Sequence, residues 1–247
     1  MRPSVAILCG GRGERLAEHA PSIPKPLVPI GERPILWHVI SLHVAQGFTD
    51  FVLLTGARGD AIETFVHRER WPADVRIRCL DTGEDTPTGG RLHRAADVLG
   101  GERFCLAYAD AVADIALGSL LEHHDRAGAD ATMAVVRPRL PFGVARLSDD
   151  GDHVHGFDEK PVSERWINAG FFCLEPTVLA RLAPDSVLER EPLSSLAREC
   201  RLAAYRHDGF WHCMDTPKDA AALNDLWDAG PAAAPWLSMP SPAGVAG

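Results

Sequence analysis

The sequence predicts an α/β fold in which helices cover both faces of a doubly wound, mostly parallel sheet. Short apolar segments alternate with amphipathic segments over residues 1–137, and this alternation is typical of parallel βαβ units. Glycine or aspartate follows several of the apolar segments closely. Because ligands of such sheets bind at the carboxyl ends of the strands, these residues are candidates for one shared site.

The first half of the chain supplies most of the predicted sheet. Strands are predicted at residues 5–8, 51–54, 75–80, 104–108 and 131–136. Helices are predicted at residues 35–46, 60–67, 88–99 and 115–127. In the first of these helices the apolar spacing predicts that His38, His43 and Gln46 are less buried than their neighbours. Asp60 and Asp114 are the predicted N-caps of the second and fourth helices.

The second half has shorter elements. Strands are predicted at 143–147, 154–157, 170–174, 203–207 and 210–212, and helices at 176–182, 193–198 and 218–229. Thr216 and Pro217 suit the N-cap and the first turn of the last helix. Since no repeat or linker interrupts residues 1–230, we expect one domain with halves at about 1–137 and 138–230. Residues 231–247, rich in proline, alanine and serine, predict a flexible tail.

Composition excludes several classes of partner. The 247 residues are 46% hydrophobic and 24% charged, which suits a globular protein with a sizeable core. A net charge of -9 argues against binding nucleic acid or an acidic membrane surface. No apolar stretch approaches the ~20 residues of a membrane span. The six cysteines lack C-x-x-C spacing and no signal peptide is evident, so we expect reduced thiols and a cytoplasmic location.

A glycine-rich turn follows the first strand, Gly10-Gly11-Arg12-Gly13-Glu14-Arg15. Its spacing fits neither the dinucleotide pattern G-x-G-x-x-G nor the G-K-[ST] of a Walker loop. Glycines let backbone N–H groups approach a phosphate, and an arginine offers a fork of donors for phosphate oxygens. The alternative is a tight strand-to-helix turn with solvated arginines.

A restrained lysine comes next, in Pro24-Lys25-Pro26. The two prolines restrict the backbone around it, and a fixed ammonium stabilises developing charge with little reorganisation. The alternative is an extended surface loop with an incidental lysine. Together with the glycine-rich turn, the motif favours a loop that grips a nucleoside triphosphate.

These residues carry a family resemblance. The segment from Leu8 to Leu16, followed by Pro24-Lys25-Pro26-Leu27, resembles the signature of the sugar-1-phosphate nucleotidylyltransferases. Residues 81–92, Asp-Thr-Gly-Glu-Asp-Thr-Pro-Thr-Gly-Gly-Arg-Leu, are similar to the glucose-1-phosphate cytidylyltransferase branch. Further similar segments are 158–161, 166–172 and 210–216. The resemblance implies a Rossmann-like nucleotidyltransferase fold with a small β-rich sugar-binding part, and the nucleotide bound by the first half.

The resemblance also implies a role for individual residues. The implied nucleotide-binding residues are Leu8, Cys9, Gly10, Gly11, Arg12, Gly13, Glu14, Arg15, Lys25, Thr86, Gly90, Arg91 and Ala109. Arg15, Lys25 and Asp110 would be catalytic. Lys160, Asn168 and Gly170 would bind the sugar phosphate. Asp110 and Asp215 would share Mg²⁺, an ion that prefers one or two carboxylates together with phosphate oxygens and water.

The implied reaction transfers a cytidylyl group from CTP to a sugar 1-phosphate and releases pyrophosphate, in a protein that forms a homo-oligomer. One departure from the family pattern keeps alternatives open: Gly-Asp-Gly is replaced by Ala109-Asp110-Ala111. A left-handed backbone at either alanine would cost about 1 kcal/mol or more. The alternatives are the same chemistry with dTTP, GTP or another sugar phosphate, and an inactive protein that binds nucleotide sugars.

Overall fold

The structure is a computed structural model that describes residues 2–11, 23–230 and 234–237. Four residues of the predicted nucleotide loop, Arg12, Gly13, Glu14 and Arg15, lie outside the described residues. Gly10, Gly11 and Lys25 on either side of that gap are described.

The strands are β1 (Ser4–Leu8), β2 (Pro29–Ile30), β3 (Arg33–Pro34), β4 (Asp50–Thr55), β5 (Arg76–Asp81), β6 (Phe104–Tyr108), β7 (Ala111–Ala113), β8 (Ala131–Val136), β9 (Val144–Leu147), β10 (Val154–Asp158), β11 (Ile167–Leu174), β12 (Leu202–Arg206) and β13 (Trp211–Cys213). The α-helices are α1 (Ile35–Val44), α2 (Gly59–Arg68), α3 (Thr88–Arg94), α4 (Ala96–Leu99), α5 (Leu117–Ala127), α6 (Glu191–Arg198) and α7 (Pro217–Asp228). Short 3-10 turns lie at Lys25–Leu27, Pro176–Arg181 and Pro235–Leu237.

The central sheet has seven strands in the order β12-β8-β11-β6-β1-β4-β5. β1 is parallel to β4 and β6, β4 is parallel to β5, and β12 is parallel to β8. Only β11 runs antiparallel to its neighbours β6 and β8 within this sheet. The predicted α/β fold with a mostly parallel sheet is therefore confirmed. Because β11 and β12 come from the second half, both halves contribute strands to this sheet.

Each face of the sheet has its own apolar core. The alternation of side chains along a strand assigns neighbours to opposite layers: Phe171 packs in the layer with α1, and Phe172 in the layer with α3 and α6. Both rings are buried, and burying one such side chain stabilises the fold by about 1.5–3 kcal/mol. The two layers hold the sheet rigid beneath the ends of β1 and β6.

Two predicted N-caps are wrong. α2 begins at Gly59 behind Arg58, which has a left-handed backbone, so Asp60 is already inside the helix. α5 begins at Leu117, whose N–H donates to Oε1 of Gln46 at 2.8 Å. A side chain distant in sequence thus replaces the predicted local cap, and Asp114 instead lies 3.0 Å from Nε2 of His207.

The two histidines of α1 are buried, contrary to the prediction from apolar spacing. The His38 Nε2 atom lies 3.0 Å from the Ile30 carbonyl oxygen, and His43 Nδ1 lies 2.7 Å from that of Val39. The His43 ring packs among phenylalanines, including Phe171. Helical periodicity cannot distinguish a solvated histidine from one that satisfies a backbone carbonyl inside the core.

Burial of His43 predicts acid sensitivity. Desolvation lowers the pKa of His43 from 6.5 to about 4, against the opposing effect of its bond to Val39. The contribution of the buried, neutral His43 to the free energy of unfolding is complete above its pKa in the unfolded chain, about 6.5. This contribution is lost as the pH falls towards 4, since only the unfolded chain then binds the proton. We expect the free energy of unfolding to fall by about 2 kcal/mol between pH 7 and pH 5 because of this histidine.

The His43→Phe variant should lose that component of the pH dependence. Urea unfolding at both pH values measures it, with the exposed His67→Gln variant as the control. Equal pH dependence in wild type and His43→Phe would contradict the assignment.

Part of the predicted tail packs on the core. Trp236 is 1% exposed, and its Nε1–H donates to Nδ1 of His38 at 3.1 Å. Its ring also stacks on Phe210. We therefore place the end of the packed region at least at Leu237 rather than at residue 230. Every helix in the described part of the chain is too short or too polar to cross a membrane.

Candidate active site

A cleft of about 600 Å³ opens at the carboxyl ends of β1 and β6. It is lined by Leu8, Cys9, Gly10, Gly11, Lys25, Pro26, Glu84, Asp85, Thr86, Pro87, Thr88, Arg91, Tyr108, Ala109, Asp110 and Asp215. Its location agrees with the general rule for ligand sites in doubly wound sheets. The structure thus brings together most of the predicted nucleotide-binding residues that it describes.

A two-stranded ribbon brings Asp110 and Asp215 together. β7 and β13 pair antiparallel, with Ala111 opposite Cys213. The residue before β7 therefore lies beside the residues after β13, and the Met214 N–H donates to the Asp110 carbonyl at 2.8 Å. The capping box of Thr216 and Asp219 then starts α7 directly after Asp215. The predicted pairing of the two carboxylates is geometrically satisfied.

Lys25 bridges these carboxylates. Its Nζ donates to Oδ2 of Asp110 and to Oδ1 of Asp215, both at 2.5 Å. Burial pulls the pKa of Lys25 down, but the charges and hydrogen bonds of the two aspartates outweigh it, and the pKa is raised. The ammonium is therefore charged and held at the edge of the cleft, as the flanking prolines predict.

The carboxylates also fit a divalent metal. Asp110 Oδ1 is buried and has no hydrogen-bond partner among the described residues. Ligand atoms of Asp110, Cys213 and Asp215 lie within 4.8 Å of one another. A buried carboxylate oxygen without a donor is costly unless a cation or water satisfies it. The donor set can hold a divalent ion at this edge of the cleft.

Arg91 forms the back of the cleft through bonds to the backbone. Its guanidinium is buried and donates to the carbonyls of Thr55, Gly83 and Gly10 at 2.8–2.9 Å. It also donates to the Thr82 hydroxyl at 2.7 Å and to a further carbonyl in the same loop. Arg91 therefore ties the end of β1 to the loop after β5, in addition to lining the cleft.

Glycine is required where Arg91 passes the backbone. A Cβ built on Gly10 would lie 2.1 Å from Cζ of Arg91, and one on Gly56 would lie 2.4 Å from its Nη1. No side chain fits at either position without moving the guanidinium. The first glycine of the predicted phosphate loop thus has a packing role that its sequence pattern did not reveal.

Gly90 faces away from the cleft. Its N–H donates to the Ser186 carbonyl at 2.9 Å, and a Cβ there would lie 2.1 Å from the carbonyl oxygen of Pro184. The structure therefore gives Gly90 a packing role against residues 183–186 rather than the predicted place in the nucleotide pocket. Thr86, on the lip formed by residues 84–88, does line the cleft.

A polar network lies beside Tyr108 in the cleft. The Tyr108 hydroxyl donates to Glu189, and Asn168 Nδ2 lies 3.2 Å from the same hydroxyl. Asn168 Oδ1 accepts from the Gly170 N–H at 2.8 Å, and Gly170 has φ +82°. A Cβ on Gly170 would come within 3.2 Å of the Tyr108 ring. The predicted sugar-site residues Asn168 and Gly170 are thus joined to the cleft through Tyr108.

Lys160 stands apart from this network. It follows β10, has a left-handed backbone with φ +48° and is exposed. Its Nζ lies 3.8 Å from a carboxylate oxygen of the exposed Glu159. Lys160 is therefore neither among the residues that line the cleft nor part of the network of Tyr108 and Asn168.

Ala109 and Ala111 adopt ordinary backbone conformations. Among the described non-glycine residues, positive φ is confined to Arg58, Lys160 and Cys200. Ala111 lies in β7 and both alanines are buried. The strain that would have favoured an inactive protein is absent at these two positions.

The sequence did not reveal Tyr108, Glu189 and Cys213 as site residues. Tyr108 ends a predicted strand one residue before Ala109, so its position could have been inferred from the strand alone. Glu189 comes from the loop before α6, which no local pattern links to β6. Cys213 enters the site only through the β7–β13 pairing, because β7 was not predicted.

The chain is similar to known proteins over most of its length. A family model described as nucleotidyl transferase matches residues 4–234. A probable glucose-1-phosphate cytidylyltransferase of Bacillus subtilis (strain 168) is 38% identical over 245 residues, covering 91% of this chain and 96% of that protein. The glucose-1-phosphate cytidylyltransferase of Salmonella typhi is 36% identical over 255 residues, with 93% and 97% covered.

The fold recurs in solved structures. The crystal structure of HddC from Yersinia pseudotuberculosis superposes with a TM-score of 0.72 at 20% identity, covering 91% of this chain and 99% of that one. The family match spans the sheet, the cleft and both aspartates. The chain therefore belongs to the nucleotidyl transferase family.

Proposed function

We propose that this protein transfers a cytidylyl group from CTP to a sugar 1-phosphate, glucose 1-phosphate or a close analogue, and releases pyrophosphate. The observation that supports it most is the convergence of Lys25, Asp110 and Asp215 in a cleft that residues 84–88 also line. The similarity to glucose-1-phosphate cytidylyltransferases over most of the chain supports the choice of base and sugar.

The proposed chemistry needs no general base. A phosphate has a second pKa near 6, so the attacking oxygen of a sugar 1-phosphate is already ionised at neutral pH. The protein then has to place that oxygen in line with the α-phosphorus of CTP and offset charge on the leaving pyrophosphate. Lys25, held by two carboxylates, is a cation already in position for this task. Arg12 and Arg15 are proposed to add donors from the loop after β1.

Mg²⁺ is the proposed metal, and Asp110 and Asp215 would hold it. When bound, it would neutralise phosphate charge and orient the triphosphate. Leu8, Cys9, Gly10, Gly11 and Ala109 line the cleft below this site and are proposed to contact the nucleotide. Glu14 and Gly13 belong to the same proposed loop.

The sugar ring of the sugar 1-phosphate is proposed to bind beside Tyr108 and Asn168. Their hydroxyl and amide face the polar network with Glu189, which suits a ligand rich in hydroxyl groups. Lys160 would bind the sugar phosphate after a movement of the exposed segment that contains it. Assembly into a homo-oligomer is part of the same proposal.

The experiment is a pyrophosphate-release assay. It combines each of four nucleoside triphosphates, CTP, dTTP, GTP and ATP, with each member of a panel of sugar 1-phosphates. We expect CTP with glucose 1-phosphate or a near analogue to give a kcat/KM at least about tenfold above the other triphosphates. A higher value with dTTP or GTP would overturn the choice of base. Binding of CTP without release of pyrophosphate in the presence of Mg²⁺ would overturn the enzymatic proposal.

A further inference from the structure

Cys213 lies beside the proposed metal carboxylates. Its Sγ and one oxygen from each of Asp110 and Asp215 are within 4.8 Å of one another. The pairing of Cys213 with Ala111 fixes its position in the ribbon that unites the two aspartates. Cys213 is half-buried and is not in a disulfide. The thiol is therefore a component of the site and not an incidental surface group.

The three donors differ in chemical character. Mg²⁺ takes oxygen ligands and does not use thiolate, whereas Zn²⁺ and Co²⁺ accept both thiolate and carboxylate. Zinc–sulfur and zinc–oxygen bonds are about 2.3 Å and 2.0–2.2 Å long. The three ligand atoms lie within 4.8 Å of one another, so small side-chain rotations would bring them all to one such ion, and the buried Oδ1 of Asp110 has no hydrogen-bond partner among the described residues.

Charge favours a divalent ion at this point. The carboxylates of Asp110 and Asp215 carry two negative charges, and Lys25 offsets one of them. A divalent cation would neutralise the other charge together with that of the thiolate that forms when the cation displaces the thiol proton. On binding, a metal–sulfur bond forms and the thiol proton passes to solvent.

We propose that Cys213 is a third metal ligand that makes this site select thiophilic divalent cations, such as Zn²⁺ and Co²⁺, over Mg²⁺. The inference rests on the metal position of the proposed function. Mg²⁺ would use the carboxylates alone, and a thiophilic ion would use the carboxylates and Sγ. The protein would then bind the thiophilic ion more tightly at the same place.

The test is a Co²⁺ titration of the full-length, metal-stripped protein, followed by its near-ultraviolet thiolate-to-cobalt charge-transfer band. We expect the band in the wild type and in Cys200→Ser, which removes an exposed thiol, and its loss in Cys213→Ser and Cys213→Ala. The dissociation constant for Co²⁺ should rise about tenfold or more in the Cys213 variants. The calorimetric dissociation constant for Mg²⁺ should stay close to the wild-type value.

The outcomes separate this inference from the proposed function. Co²⁺ and Mg²⁺ binding to the wild type without a charge-transfer band would overturn the role of Cys213 alone. A band that survives both Cys213 substitutions would do the same. Failure of both ions to bind would overturn the metal position at Asp110 and Asp215 as well. The wild-type band decides the question even if a Cys213 variant does not fold.

Discussion

Replacing Asp110 by asparagine should lower the rate of pyrophosphate release by about a thousandfold while the fold survives. Asparagine keeps the shape of the side chain but removes the charge that holds the Lys25 ammonium and would hold the metal. The bond from the Met214 N–H goes to the backbone carbonyl of Asp110 and is unaffected by the substitution. The β7–β13 ribbon should therefore form as in the wild type.

Steady-state kinetics with CTP and glucose 1-phosphate measure this effect, and kcat should fall far more than either KM rises. Asp114→Asn is a matched control, because Asp114 follows four residues later and contacts His207 instead of Lys25. Its rate should remain close to that of the wild type. An Asp110→Asn rate near the wild-type value, in protein with an unchanged thermal unfolding midpoint, would contradict the assignment.

Asp110 and Asp215, the two proposed metal ligands, show what sequence patterns can and cannot predict. The family resemblance implied both residues; Asp110 also follows a predicted strand at the ligand-binding edge, and Asp215 follows the predicted strand at 210–212. Their contact depends on the three-residue pairing of β7 with β13. A strand was predicted at 210–212 but none at 111–113, so the pairing could not be inferred from the sequence.

Long-range contacts account for the other differences. The hydrogen bond that caps α5 comes from Gln46. The hydrogen bond to Nδ1 of His38 comes from Trp236, almost two hundred positions further along the chain. β11, which comes from the second half of the chain, lies in the central sheet between β6 and β8. Local periodicity indicates which residues face the core. It does not indicate which distant side chain donates a hydrogen bond or which distant strand becomes a neighbour in the sheet.

Motif analysis identified Arg91 as important but did not identify its contacts. The family resemblance implied only that Arg91 is one of the nucleotide-binding residues. In the structure the guanidinium is bonded to carbonyls of Gly10, Thr55 and Gly83. We infer that Arg91 shapes the cleft by holding together the loop at the end of β1 and the loop after β5.

Arg91→Met should destabilise the fold by about 3 kcal/mol or more, because it removes all the hydrogen bonds of the guanidinium, and a hydrogen bond to a charged group contributes about 1.5–3 kcal/mol. Methionine keeps the length and apolar bulk of the side chain but supplies no donor. Since the loops it releases line the cleft, the KM for CTP should rise while the KM for the sugar phosphate changes little. Urea unfolding measures the first effect and steady-state kinetics the second.

Arg94→Met is the matched control, since Arg94 lies on the same helix and makes a 2.7 Å bond to the carbonyl of Thr82 from a more exposed position. It should cost about 1 kcal/mol, the usual value of one such bond. Gly10→Ala tests the contact between Arg91 and Gly10 from the glycine side, because the new Cβ would lie 2.1 Å from Cζ of Arg91. This variant should raise the KM for CTP as Arg91→Met does. If Arg91→Met unfolds at the same urea concentration as Arg94→Met, the guanidinium does not hold the two loops together.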